Sequence, residues 1–130
     1  FMKNNPSAAD LDFLLANWEA NYKKGLLSFW ILLQLHQRPC YPLEMREQLE
    51  QFSQGSISAE ENSLYRALRR FEEVGIVSSR LEPTGQGPDR RYYQLTSSGL
   101  DLLRRFIQRN IVIFRAAGVS EKIQAVLENE

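Results

Sequence analysis

The sequence predicts a mainly α-helical domain with one small β-hairpin, an α+β fold. Apolar side chains recur at helical spacing over most of the chain. One stretch near the middle instead combines strand-like composition with a turn rich in glycine and proline. A length of 130 residues is that of one ordinary domain. We therefore expect a single domain over residues 1–130, with a frayed tail at 1–7.

The first two predicted helices are separated by Gly25. Residues 8–22 carry apolar side chains at helical spacing and predict an amphipathic N-terminal helix. This apolar stripe consists of Leu11, Leu15, Trp18 and Tyr22. Residues 26–37 are apolar nearly all round, which is typical of a central, buried helix.

Two shorter helices are expected next. A proline-flanked extended link follows the second helix, and the third helix is expected at 43–52. The fourth helix is predicted to begin after Ser58, which would form a capping box with Glu61. It is expected to run to Val74, with Gly75 as its stop.

A β-hairpin is predicted directly after the fourth helix. Residues 76–82 and 90–95 have the composition of strands, and the segment 83–88 between them holds two glycines and two prolines. Helices followed by a basic hairpin form the layout of a winged helix-turn-helix domain. We expect its core at 24–95.

The C-terminal part, 97–127, is expected to form dimerisation helices. Thr96 is predicted to cap a long helix at 97–115, which Gly118 breaks before Ser120 caps a short final helix. The long helix carries two apolar stripes, and since a surface helix needs only one, the second predicts a homodimer. The residues expected at the dimer interface are Leu102, Phe106 and Ile113 of that stripe with Leu11, Leu15, Trp18 and Tyr22 of the N-terminal helix.

Charge is distributed unevenly along the chain although the formal net charge is zero. Residues 62–115 hold ten arginines, no lysine and five acids, a local net charge of +5, whereas the remainder carries −5. Arginine suits phosphate-directed and bidentate contacts. A local basic face of this kind predicts double-stranded DNA as a partner.

The fourth predicted helix has the two faces of a recognition helix. Its apolar side consists of Leu64, Ala67, Leu68 and Phe71. On the other side, the residues expected to contact base edges are Asn62, Ser63 and Arg66. The residues expected at phosphates are Arg69 and Arg70 of the helix with Arg80, Arg90 and Arg91 of the hairpin. Because strand residues alternate faces, one of Arg90 and Arg91 should point outward.

Two segments resemble the motifs of PadR-like transcriptional regulators. In 62–77 the matching residues are Leu64, Tyr65, Leu68, Glu72, Gly75 and Val77. In 87–99 they are Arg91, Tyr92, Tyr93, Leu95, Thr96 and Gly99. The resemblance covers roughly 24–106. Two departures are Cys40 and Tyr41 where members often carry a Gly-Tyr pair, and Phe71 in place of leucine.

This resemblance implies a winged helix-turn-helix fold, a homodimer, and binding to a pseudo-palindromic operator, usually as a repressor. The short chain with an N-terminal helix is also similar to PadR-like repressors of a circadian clock gene. The sequence leaves open whether a small-molecule effector binds, with a dimer-interface pocket around Trp18 and Trp30 as the candidate place.

Catalytic and metal chemistry find little support in the sequence. His36 and Cys40 lie four residues apart, but without a further histidine or cysteine a structural role is expected. Glu72 and Glu73 are expected to be a solvated pair, and no phosphate-cradling loop is present. We therefore expect no enzyme, no cofactor and no metal. The single cysteine and the lack of a signal peptide or membrane span predict a cytoplasmic protein.

Two alternatives stay open at this point. A winged-helix module can bind another protein rather than DNA, which the neutral overall charge permits. Tyr65, Tyr92 and Tyr93 can either stack on bases or pack in the core, and core packing is the more frequent use of such aromatics.

Overall fold

The computed structural model describes residues 5–128 and confirms a mainly helical fold with one hairpin. In the described residues the order of elements is three helices, two strands, a helix, a 3-10 helix and a last helix. Their bounds are α1 Ala8–Gln37, α2 Pro42–Phe52, α3 Glu61–Glu73, β1 Val77–Glu82, β2 Arg90–Leu95, α4 Ser97–Asn110, the 3-10 helix Val112–Arg115 and α5 Ala117–Glu128.

The predicted break at Gly25 is wrong, because α1 is one continuous helix of 30 residues. A glycine inside a helix costs only about 1 kcal/mol relative to alanine, and the good helix formers on both sides outweigh it. At the end of the expected tail, the Ser7 hydroxyl accepts a hydrogen bond from the Asp10 backbone N–H at 3.1 Å and caps α1. Residues 1–4 of that tail lie outside the described residues.

The core forms where the second half of α1 meets the other elements. In α1 the side chains of Ile31, Leu32 and Leu35 are buried, as predicted for a central helix. They pack with buried residues of α2, α3, the hairpin and α4. These partners include Met45, Leu49, Leu64, Leu68, Val77, Tyr93 and Leu103. The first half of α1 lies outside this core and is exposed.

One residue of the link before α2 pairs with the hairpin, which the sequence did not predict. Strands β1 and β2 pair antiparallel, with Val77 opposite Leu95. On the free edge of β2, the Cys40 N–H donates to the Tyr93 carbonyl at 3.1 Å and the Tyr93 N–H donates to the Cys40 carbonyl at 2.8 Å. The proline-flanked link therefore joins the sheet through a single residue, which anchors the start of α2 to the hairpin.

The fourth predicted helix is α3, because the first two predicted helices form a single α1. The capping box predicted at its start, between Ser58 and Glu61, is wrong. Glu60 occupies the N-cap position and makes no side-chain cap, and Ser58 lies too far upstream to reach the helix start as its cap. At the other end, Gly75 ends the helical run as predicted and has a φ of +85°.

The C-terminal helices also differ from the prediction. Helix α4 is capped by Thr96 as expected, but it ends at Asn110 rather than near Arg115. The β-branched run from Ile111 to Ile113 has low helix propensity, and the chain tightens there into the 3-10 helix. Because α5 begins at Ala117, Gly118 and Ser120 lie inside that helix instead of breaking and capping it.

Candidate nucleic-acid interface

Helix α3 separates its apolar and basic residues as predicted. Leu64, Ala67 and Leu68 are buried and Phe71 is half-buried, whereas the predicted DNA-contacting residues lie on the other side. Of these, Asn62, Arg66, Arg69 and Arg70 are exposed and Ser63 is half-buried. The amphipathic pattern thus holds one helical face in the core and leaves the other free for a ligand.

The three arginines of α3 have no acidic partner among residues 5–128. Arg66 donates a hydrogen bond to the Ser63 hydroxyl at 3.4 Å, and this bond is on the exposed face. Uncompensated guanidinium groups on one helix face form a site that suits an anionic partner.

Strand pairing decides which hairpin arginine faces outward. The register places Arg90 opposite Glu82 and Arg91 opposite Leu81. Arg91 shares its face with the buried side chain of Tyr93, whereas Arg90 lies on the opposite, outer face. Arg90 therefore matches the expectation of one outward-pointing arginine.

The outer face of the hairpin carries alternating arginine and tyrosine side chains. The Arg90 guanidinium lies over the Tyr41 ring at 4.5 Å, and that of Arg80 lies 5.9 Å from the centre of the Tyr92 ring. The two rings meet edge-to-face with centroids 5.4 Å apart. Cation–π contacts of this kind hold a guanidinium while leaving its N–H edges available. Sequence reasoning missed Tyr41, because its place depends on the pairing of the link with β2.

The two outward arginines of the hairpin differ in their charge environment. Arg80 is paired with Glu82 at 2.6 Å and also donates to the Gln94 side chain at 3.1 Å. Arg90 forms no ion pair within residues 5–128. Of the two, Arg90 therefore keeps the uncompensated charge.

The inner face of the hairpin connects Arg91 to α3. Arg91 is half-buried and donates from Nη1 to the Ser79 hydroxyl at 2.9 Å. The Ser79 hydroxyl in turn donates to Glu72 Oε2 at 2.6 Å. Glu72 and Glu73 are both exposed, as expected for a solvated pair, and Glu72 in addition accepts this bond from the hairpin.

Tyr93 and Tyr65 lie beside this inner face. Tyr93 is 1% exposed, and its ring meets that of Tyr65 edge-to-face at 6.3 Å. Burial raises the pKa of Tyr93 to about 12, with the neighbouring Tyr65 and Glu72 adding to the shift. Tyr93 is thus a core residue rather than a base-stacking platform.

The apolar stripe predicted on the N-terminal helix is exposed. Leu11, Leu15, Trp18 and Tyr22 are all more than half exposed, and Trp18 reaches 75%. A shallow groove of about 350 Å³ runs beside Trp18, lined also by Leu15, Glu19, Tyr22 and Lys23.

The C-terminal members of the expected interface are less uniform. Leu102 and Ile113 are exposed, at 46% and 49%. Phe106 is half-buried and stacks on Phe29 of its own chain with centroids 5.5 Å apart. The second apolar stripe of α4 is thus partly covered by α1 of the same chain, through the contact of Phe106 with Phe29.

A pocket shared by Trp18 and Trp30 of one chain does not form. Twelve residues separate them along one helix, which is about 18 Å. Trp30 instead packs edge-to-face on Phe29 and Phe52.

Cys40 and His36 lie in different environments. Cys40 is buried, and burial raises the pKa of its thiol, whereas His36 is exposed. Within residues 5–128 no group of three or more histidine, cysteine or acidic side chains is placed to hold a metal ion. No helix in that range has the length and apolar character needed to cross a membrane.

Comparisons with known proteins agree with this geometry. The model of the transcriptional regulator PadR-like family matches residues 31–105, more than half of the chain. A PadR family transcriptional regulator from Eggerthella lenta DSM 2243 is similar in structure, with a TM-score of 0.72 and 26% identity over 95% of this chain and 100% of that chain. A PadR-like transcriptional regulator from Bacillus cereus gives a TM-score of 0.61 and 29% identity over 82% and 96%.

A third similar structure is that of Bacillus subtilis PadR in complex with operator DNA. Its TM-score is 0.59 at 21% identity, over 63% of this chain and 46% of that chain. A comparison with curated proteins gave no significant match. The family model and the shared fold lead to one conclusion: the chain belongs to the PadR-like family of transcriptional regulators.

Proposed function

We propose that this chain is a homodimeric repressor that binds a pseudo-palindromic operator in double-stranded DNA. The observation that carries the proposal is the exposed face of α3, where Arg66, Arg69 and Arg70 have no acidic partner within residues 5–128. The Bacillus subtilis PadR structure, which contains operator DNA, supports the same use of this fold. The resemblance to clock-gene repressors makes a circadian clock gene the first target to test.

In this proposal α3 enters the major groove. Asn62 and Ser63 lie in its first turn and Arg66 one turn further, where base edges are met in this class of domain. Asparagine suits adenine and arginine suits guanine. Arg69 and Arg70 follow on the same exposed side and are assigned to phosphates.

The hairpin supplies the remaining backbone contacts. Arg90 is assigned to a phosphate because its guanidinium is held over Tyr41 but keeps an uncompensated charge. Arg80 is assigned a weaker phosphate contact because Glu82 already offsets its charge. Arg91 is half-buried and donates to the Ser79 hydroxyl, so it is not assigned to a phosphate.

The homodimer is proposed to form through the first half of α1 together with exposed apolar residues of the C-terminal part. Trp18 is the most exposed aromatic of this surface, and isolated apolar stripes of this size are unfavourable in water. An isologous pairing would present two copies of α3 to two half-sites about one helical turn, or a multiple of it, apart.

The DNA proposal is tested by selecting bound duplexes from a random pool, then titrating the selected duplex at several salt concentrations. Arg90→Ala should weaken binding to all sequences and reduce the log–log salt slope by about 0.9, the value for one phosphate contact. Arg66→Ala should weaken the selected duplex more than a scrambled one, because a bidentate base contact contributes about 1–3 kcal/mol of discrimination.

Lys122→Ala is the matched control, since it removes one positive charge from α5, which packs on the 3-10 helix rather than on α3. Its affinity should equal that of the unsubstituted chain. Unchanged affinity of both arginine variants would contradict the assignment. A protein-binding winged helix would instead enrich no duplex and associate with its partner independently of salt.

The dimer and the repressor role have separate tests. Trp18→Glu should shift the sedimenting species from dimer to monomer without loss of helical signal, whereas Lys24→Glu on the opposite side of α1 should not. A monomeric unsubstituted chain would contradict the dimer. Transcription in vitro from a promoter overlapping the selected palindrome should fall when the chain is added, and a rise would contradict repression.

A further inference from the structure

A chain of two hydrogen bonds links the hairpin to the last turn of α3. Arg91 on β2 donates to the Ser79 hydroxyl on β1 at 2.9 Å, and Ser79 donates to Glu72 Oε2 on α3 at 2.6 Å. The hydroxyl thus serves as acceptor and donor at once. A charged group stands at each end, which makes both bonds charge-assisted and stronger than neutral ones. We call these three residues the wing tie.

The root of the hairpin is already fixed without the wing tie. The Thr96 hydroxyl donates to the Gly75 carbonyl at 2.7 Å, and the Thr96 N–H donates to the Ile76 carbonyl at 3.2 Å. These bonds hold the point where the chain leaves α3. They lie at the end of the hairpin opposite to the turn. The two Cys40–Tyr93 bonds hold β2 to the link before α2, whereas the wing tie is the side-chain connection from β1 and β2 to α3 itself.

The angle at which the hairpin projects matters because the hairpin acts as a lever. Six strand residues extend about 20 Å, so a rotation of about 10° at the root displaces the tip by roughly 3 Å. Arg90 is paired with Glu82 at the tip end of the ladder. A displacement of that size exceeds the tolerance of a hydrogen bond to a phosphate oxygen.

Two electrostatic effects disfavour a carboxylate at position 72. A carboxylate in the last turn of a helix opposes the helix dipole, and a carboxylate beside a DNA-binding face repels phosphates. Its bond to Ser79 is the contact that offsets both. Glu72 and the neighbouring Glu73 are both exposed, but Glu73 has no hydrogen-bond or ion-pair partner within residues 5–128, so it offers a direct comparison.

We propose that Glu72, Ser79 and Arg91 are positioning residues that set the angle of the hairpin relative to α3. With the wing tie intact, α3 contacts bases while Arg90 reaches its phosphate. Arg91 in this role is not a DNA ligand, although it is adjacent in sequence to one. The inference rests on the proposed function and adds to it residues that act without touching DNA.

The decisive variant is Glu72→Ala in the full chain, titrated against a 40-base-pair duplex that the unsubstituted chain selects from a random pool. Electrostatics alone predicts tighter binding when a carboxylate is removed. The wing tie predicts binding weaker by about fivefold, equivalent to about 1 kcal/mol. It also predicts a salt slope reduced by about 0.9, because Arg90 loses its phosphate.

Three further variants separate positioning from a general loss of structure. Glu73→Ala removes the adjacent carboxylate and should bind as tightly as the unsubstituted chain or more tightly. Glu72→Gln keeps an acceptor oxygen for Ser79 and should restore most of the affinity. Adding Glu72→Ala to Arg90→Ala should cost less than twofold further, since the contact that the tie positions is already absent.

The outcomes are distinguishable. Should the unsubstituted chain enrich no duplex, both the proposed function and this inference are overturned. If it does bind and Glu72→Ala binds equally well or better, only the wing tie is refuted. Ser79→Ala covers the case in which Glu72→Ala unfolds: it removes the central hydroxyl from a half-buried strand position, and wild-type affinity in that variant refutes the tie equally.

Discussion

Replacing Gly99 by alanine tests how tightly α4 is seated on the junction between α3 and the hairpin. Gly99 is buried in the first turn of α4. A Cβ at this position would lie 2.0 Å from the Ile76 carbonyl oxygen and 2.8 Å from Leu95 Cδ1. Neither distance is compatible with van der Waals packing. Since the first of these atoms belongs to the backbone, the helix and the hairpin root would have to separate.

Two opposing terms decide the size of the effect. Alanine is favoured over glycine in a helix by about 1 kcal/mol. Against this, overpacking of a filled site costs about 1–3 kcal/mol, and each hydrogen bond lost at the junction costs about 1 kcal/mol. Two bonds are at risk there, from the Thr96 N–H to Ile76 and from the Thr96 hydroxyl to Gly75. We expect a net loss of about 2–4 kcal/mol, a fall in Tm on the order of 10 °C.

Gly25→Ala is the matched control, because the same substitution in the exposed middle of α1 meets nothing within 4 Å. It should raise the free energy of unfolding by about 0.5–1 kcal/mol. Both variants are compared with the unsubstituted chain by urea titration followed by circular dichroism, at one protein concentration because a dimer's stability depends on it. A Gly99→Ala variant as stable as the unsubstituted chain would refute the reasoning, as would equal losses at both positions.

Three further predictions concern the junction and the core. The Cys40 thiol, whose pKa burial raises, should react with an alkylating reagent at pH 8 only as fast as the protein unfolds; rapid labelling of the native chain would contradict its burial. Because the pKa of Tyr93 is raised from 10.0 to about 12, the unfolded chain ionises first, and stability should fall between pH 10 and 12 more steeply than in Tyr93→Phe. Parallel pH profiles would contradict this. Thr96→Ala loses its bonds to Gly99 and Gly75 and should cost about 1–2 kcal/mol in thermal unfolding, with Thr96→Ser recovering most of it.

Features that depend on neighbouring residues were predictable from the sequence. The bounds of β2 follow from the glycine- and proline-rich turn before it and the Thr96 cap after it. The two faces of α3 follow from helical periodicity alone. In both cases the deciding interactions lie within a few residues of each other, which is the range over which sequence patterns act.

Features that depend on pairing between distant segments were not predictable. Alternation along β2 shows that Arg90 and Arg91 face opposite sides, but only the register with β1 shows which faces outward. The place of Tyr41 required the link to pair with Tyr93, about fifty residues away. The break at Gly25 failed for a different reason, since a propensity cost of about 1 kcal/mol is smaller than the gain from extending a helix on both sides.

The structure also changes the interpretation of the arginine-rich stretch 62–115. Of the arginines assigned to DNA, Arg80 is offset by Glu82 and Arg91 is tied through Ser79 to α3. This leaves four uncompensated guanidinium groups on α3 and the hairpin, those of Arg66, Arg69, Arg70 and Arg90. Because Arg66 is assigned to a base edge, the three phosphate contacts assigned to Arg69, Arg70 and Arg90 would give one protomer a salt slope of about −2.7. The proposed homodimer on a pseudo-palindromic duplex would double this slope to about −5.4, so the salt slope measured on the selected duplex tests the proposed phosphate contacts and the proposed homodimer together.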